Sequence, residues 1–154
     1  MPMIGQRVTS SSLLKGHGAL PRPFLWYYLI SRNPPTMRKI ESQMIAAIKG
    51  KRNWSSGNTS VHYSEDYKSS AVYLHGNLIA IVYENDAELF DAGYKTVTTK
   101  SRLNAICQAF GIPGEGIFQR DFQWYVHKLT GQSPVTGKVF NADDWTTGYI
   151  FKFD

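Results

Sequence analysis

At 154 residues, 42% hydrophobic and 14% aromatic, the chain is long enough to bury one core. Its single cysteine, Cys107, excludes an internal disulfide framework, and no run of about 18 apolar residues is present to span a membrane. The net charge of +5 belongs mostly to residues 1–36, where Arg7, Lys15, Arg22 and Arg32 stand without an acid. The 17 basic side chains less these four leave 13 against all 12 acids, so residues 37–154 carry only +1. A body that near neutrality is a poor generic polyanion binder.

In chain order, residues 1–36 mix Ser, Gly and Pro with the aromatic run FLWYY and hold no sustained period. They read as a disordered or loosely packed N-terminal extension, and Met37 is a candidate start of the native protein. Phe24 to Ile30 is too short and too aromatic for a secretory signal. Residues 37–154 are expected to form a single α+β domain. From Met37 to Lys49, Ile40, Met44, Ala47 and Ile48 mark a helical face, with Thr36 as cap and Gly50 as stop. Lys49, Lys51 and Arg52 follow beside Trp54. Their charge either complements the helix C-terminus or forms a patch that contacts phosphate.

Val61 to Ser64 reads as a short strand, and Ala71 to Tyr83 as a hairpin turning at Gly76-Asn77. That turn pairs Leu74 with Ile79 and Val72 with Ile81 on one face, expected to lie under the helices. Tyr73, His75, Leu78 and Ala80 would share the outer face, where Tyr73 and His75 are candidate partner contacts. Glu88 to Tyr94 is expected to be a third strand.

Thr96 to Phe110 is the sharpest segment. Leu103, Ile106, Cys107 and Phe110 form an apolar stripe at helical spacing, and Gly111 with Pro113 ends it. Thr98 or Thr99 is the expected N-cap, which sets Lys100 and Arg102 in the first turn. Acids are favoured there, so two cations beside free N–H groups suggest an anion site. The plainer alternative has both side chains in water or paired with the chain's own acids, such as Asp91 or Glu88. Beyond the helix, Phe118, Arg120, Phe122, Trp124 and Val126 alternate with polar neighbours and read as one half-buried strand. Tyr149, Phe151 and Phe153 mark a last strand within Trp145 to Phe153. The expected class is α+β: an antiparallel sheet of about five or six strands, two helices on one face, in the order α-β-β-β-α-β-β.

The stretches NWSSGNTSV (53–61), VYLHGNLIAIVY (72–83), GYKTVTTKSRLNAI (93–106) and IFQRDFQWYV (117–126) resemble a family of small bacteriophage-encoded proteins of unknown function. The likeness runs from near Met37 to about Val126. It implies a phage origin and a setting in the host cytoplasm or the virion, and it supplies no activity.

Residue chemistry therefore carries the functional reading. His17, His62, His75 and His127 lack metal-ligand spacing, and no phosphate-binding or dinucleotide loop occurs. No catalytic residue, metal ligand or cofactor is expected, and the chain reads as a non-enzyme. Two functions compete. One is a protein-interaction module for a host or phage partner, favoured by the aromatic content. The alternative is binding of a DNA or RNA backbone through Thr98, Thr99, Lys100 and Arg102 together with Lys49, Lys51 and Arg52. The α-β-β-β-α order there resembles the layout of double-stranded-RNA-binding domains. No membrane association is expected.

Overall fold

The computed structural model describes residues 37–153; the expected cap at Thr36 and every reading of residues 1–36 lie outside the described residues. Among the described residues the order is α1 (Lys39–Lys49), β1 (Trp54–Ser56), β2 (Thr59–Ser64), β3 (Ser69–Leu74), β4 (Asn77–Val82) and β5 (Asp86–Leu89). Then come α2 (Val97–Phe110), β6 (Gly116–Arg120), β7 (Gln123–Ser133), β8 (Gly137–Asp144) and β9 (Tyr149–Lys152). The class is α+β, as expected. The described chain divides into two compact units, residues 37–112 with 146–153, and residues 113–145.

The first unit is a six-stranded antiparallel sheet, ordered β1-β2-β3-β4-β5-β9, with both helices on one face. On α1, Met44, Ile45, Ala47 and Ile48 are buried. Arg38 holds the extended cap position, and its backbone N–H donates to Glu41 Oε1 at 3.1 Å. On α2, Leu103, Ile106 and Cys107 are buried as their spacing predicts. The cap, however, is Thr96, whose Oγ1 accepts from Thr99 N at 3.1 Å. Thr98 and Thr99 are already helical, which corrects the expected cap by two residues or more. Lys100 and Arg102 become the fourth and sixth helical residues.

The central hairpin corrects the expected register. His75 and Gly76 form the turn, at φ +52° and +78°, a pair of positive values that suits a type I′ hairpin. Histidine is among the residues that tolerate this region, so glycine stands second in the turn and Asn77 opens β4. The pairs are Leu74 with Asn77 and Tyr73 with Leu78, after which the register shifts and Val72 faces Ala80. Ile79 is the extra residue of that bulge, and Ile79 and Ala80 are both buried. Thr59, Val61, Val72, Leu74, Ala80, Val82, Ala87, Leu89 and Phe151 then line the helix-covered face. Ile81, expected inside, is turned to the outer one.

The second unit is a three-stranded antiparallel sheet, β6-β7-β8. The expected single strand over 118–127 is instead a hairpin, because Asp121 (φ +51°) and Phe122 (φ +64°) reverse the chain between Arg120 and Gln123. Trp124 is 4% exposed and meets Trp145 edge-on at 5.6 Å, while Phe122, expected beside it, is 94% exposed. His127 is fully buried, stacked on Phe140 at 4.7 Å and edge-on to Phe118. Burial drives its pKa down to about 4, against the Gly114 carbonyl 3.0 Å from Nδ1. Glu115 is buried nearby in sequence, accepting from Leu129 N at 2.8 Å with Lys128 Nζ 3.8 Å away. Burial raises its pKa, and the Leu129 N–H and the Lys128 charge oppose that rise.

Candidate functional site

The predicted site residues fall into four places. Arg102 is withdrawn from solvent, at 3% exposure, and its Nη1 donates to Glu41 Oε2 at 2.7 Å. The same carboxylate oxygen accepts from Ser101 Oγ at 2.5 Å. Arg102 Nε donates to Thr59 Oγ1 at 3.0 Å, and that hydroxyl passes to Asn58 Oδ1 at 2.8 Å. One guanidinium thus ties α1, α2 and β2 together. The expectation that Arg102 serves an external anion is corrected here, because a buried cation needs its full set of fixed acceptors. An acid of the chain does pair with it, though the partner is Glu41 and not Asp91 or Glu88. The sequence hint was available: Glu41 occupies the third position of a helix whose apolar stripe makes that turn face the core.

The second place is a cleft of about 430 Å³ whose lining includes Leu74, His75, Ile79, Tyr94, Thr98 and Thr99. The His75-Gly76 turn and the start of α2 meet there, so three of the predicted residues converge. Sequence reading missed Tyr94 and Asp91 on its wall. Asp91 is buried and Oδ1 accepts from Gly93 N at 2.7 Å, an Asx turn that the Asp-Ala-Gly order could have signalled. Lys100, one residue on from Thr99, is partly buried, and that burial lowers its pKa.

The basic cluster is the third place. Lys49 Nζ lies 5.7 Å from the centre of the Phe110 ring, and Arg52 Nη1 donates to the Ala46 carbonyl at 3.3 Å, near the end of α1. Lys51 is exposed at φ +53°. These positions complement the C-terminal end of α1, as the dipole reading expects. They also fix a geometric point. Glu41 with Ser101 and Arg102 joins the two helix starts, and Lys49 with Phe110 joins the two ends, so the helices run parallel. Eight residues of helix rise about 12 Å. The 49–52 cluster and the start of α2 therefore occupy opposite ends of the pair, about 12 Å of helix apart.

The fourth place is the outer sheet face. A row crosses the sheet as His62, Ala71, Ile81, Glu88 and Ile150, in register on five adjacent strands. Beside it Tyr73 pairs with Leu78, and the Tyr73 ring meets His62 edge-on at 5.3 Å. Tyr73 thus lies where it was expected. His75 leaves the face for the turn.

No helix of the described residues is long and apolar enough to cross a membrane. No curated protein and no solved structure matches the chain. Residues 37–152 match a family model described as Kyanoviridae Gp96 protein, a span that begins with α1 and reaches the end of β9. The phage resemblance read from the four motifs is thereby extended to nearly all of the described chain, which belongs to the Kyanoviridae Gp96 family of cyanophage proteins.

Proposed function

We propose that this phage protein is a non-enzymatic interaction module, which holds a host or phage protein against the outer face of its six-stranded sheet. The observation that carries the reading is the cross-strand row His62–Ala71–Ile81–Glu88–Ile150 with Tyr73 and Leu78 alongside. Helices cover one face of the sheet and the bulge at Ile79 sends Ile81 to the other. A row of apolar and aromatic side chains, half-buried at its centre and exposed at His62 and Ile150, with a histidine and a glutamate within it has the composition of an interface core with a polar margin. The setting is the infected cell's cytoplasm or the virion.

The test is affinity capture from infected-cell lysate by the full chain and by Tyr73→Lys/Ile81→Lys. Both substituted side chains face outward, so the variant keeps its fold, read by circular dichroism, and loses the captured protein. Capture that is undiminished in the variant refutes the face as the interface. A filter-binding titration with duplex DNA and RNA at two salt concentrations runs beside it, and tight, salt-steep retention favours the backbone-binding alternative instead.

A further inference from the structure

The tip of the β6–β7 hairpin combines two features that are unfavourable for an isolated chain. Asp121 and Phe122 both sit at positive φ, +51° and +64°, in a two-residue turn where glycine or asparagine is the usual choice. A bulky side chain in that region is an outlier. The same Phe122 is 94% exposed, so its ring returns almost nothing to the fold by burial. Backbone strain and an apolar ring in water together point outward, since strain of this kind persists where function uses it.

The base of the hairpin is braced. Phe118 stacks on Tyr125 at 5.6 Å, and the Arg120 guanidinium lies 5.0 Å from the Tyr125 ring centre. Phe122 therefore projects from a stiff two-strand stem, with only two side-chain torsions to fix on binding.

We propose that Phe122 is an aromatic anchor that inserts into an apolar pocket on a partner protein. The local charge selects this class of partner. Asp121 precedes the ring, and Arg120, paired with Gln123 across the turn, carries the opposite sign, so the tip has no net charge to draw a polyanion. A carboxylate one residue from the ring would also face nucleic-acid phosphates, or be dragged toward the hydrocarbon by a lipid-inserted ring. A protein pocket with a polar rim accommodates both charges. Phe122 belongs to the other compact unit from the sheet face described above, and either surface can fail without the other.

The test places a photoreactive benzoyl-phenylalanine at position 122 of the full chain in infected-cell lysate, with the same group at exposed Val135 as control. A single protein adduct specific to position 122 is expected, suppressed by excess unlabelled chain and not by Phe122→Gly. The captured protein is then purified and titrated directly. Phe122→Gly should weaken it at least 30-fold, the size of an interface hot spot, while Tm stays level or rises a few degrees as the turn relaxes. Tyr73→Lys/Ile81→Lys, titrated in parallel, separates loss of the tip from loss of the sheet face. Three results would overturn the proposal: a Phe122→Gly chain that melts well below the parent, no adduct above the Val135 control, or an affinity unchanged by the substitution. Binding of the parent, lost in the variant, to phosphatidylglycerol vesicles or to DNA would overturn it in favour of those surfaces.

Discussion

Glu41→Gln is the most informative perturbation of the fold, because it changes charge with almost no change of shape. Glu41 receives Arg102 Nη1 at 2.7 Å, Ser101 Oγ at 2.5 Å and Arg38 N at 3.1 Å, and both partners of the ion pair are about 4% exposed. Glutamine has a single acceptor oxygen for donors that now use both carboxylate oxygens, so it keeps at most two of these contacts and strands the Arg102 charge in a buried site. Removing one partner of a buried pair costs about 3–5 kcal/mol, against a total stability of roughly 5–15 kcal/mol for a domain of ordinary size. Urea unfolding followed by tryptophan fluorescence and far-ultraviolet circular dichroism reads the loss directly. Glu41→Met with Arg102→Met removes both charges and should recover most of the stability, since apolar replacement of a whole buried pair is often neutral or better. Arg102→Glu sets a second carboxylate against Glu41 and should prevent folding. A loss below about 1 kcal/mol for Glu41→Gln, the value of an exposed pair, would refute the buried pairing of α1 with α2.

Other consequences are open to simpler tests. His127 titrates near 4 in the fold instead of near 6.5, so its contribution is intact above pH 6.5 and is lost as pH falls toward 4. That loss is worth roughly 3 kcal/mol in all, and His127→Phe should flatten the fall of Tm over that window. Glu115 acts in the opposite sense: its raised pKa favours the fold at low pH, and that advantage fades as pH rises above the ordinary carboxylate range. Trp124→Ala should cost about 3–5 kcal/mol and Gln123→Ala less than about 0.5 kcal/mol; equal losses would mean the faces of β7 are misassigned. Ala80→Asp should unfold the chain and Ile81→Asp should not, because the bulge puts Ala80 inside and Ile81 outside. The register read from the sequence requires the reverse, so one pair of melting curves decides between them.

The elements with a long period were legible before the structure. Both helices, the Leu103–Ile106–Cys107 stripe and the α+β class follow from spacing, since burial repeats along a helix at intervals a sequence displays. The hairpins were harder for a specific reason. Each turn is two residues at positive φ, and in each a residue with a Cβ takes a position where glycine is the readable signal: His75 in one, Asp121 and Phe122 in the other. With that signal missing or displaced, one turn is misplaced by a residue and the other is read as continuous strand. Misplacing the first turn by one residue shifts its pairing by two and keeps the faces; the bulge at Ile79, which no local pattern announces, is what exchanges the sides of Ala80 and Ile81. Of the candidate site, Tyr73 was legible from alternation. For Arg102 the sequence offered one half, Glu41 on the core-facing turn of α1; that this acid pairs with Arg102, 61 residues away, no local pattern announces.

The position of Arg102 also changes what a nucleic-acid measurement would mean. Each phosphate contact contributes about 0.7–0.9 to the log–log salt slope, and two cations at the start of α2 would give a drop of about 1.4–1.8 when both are reversed. With Arg102 held by Glu41, reversing Lys100 alone removes at most one such contact, so Lys100→Glu should change the slope by no more than about 0.7–0.9. The 49–52 cluster lies at the other end of the parallel helices, with Arg52 on the Ala46 carbonyl and Lys49 over Phe110, and its share of a slope is read separately from Lys51→Glu. An apolar sheet face that binds protein predicts a different response: affinity that changes little with salt and collapses with Tyr73→Lys/Ile81→Lys. The two functions therefore separate on one axis, ionic strength. A slope change well above one unit for Lys100→Glu would mean that a second cation acts with it, and would reopen the question of where Arg102 lies when a polyanion is bound.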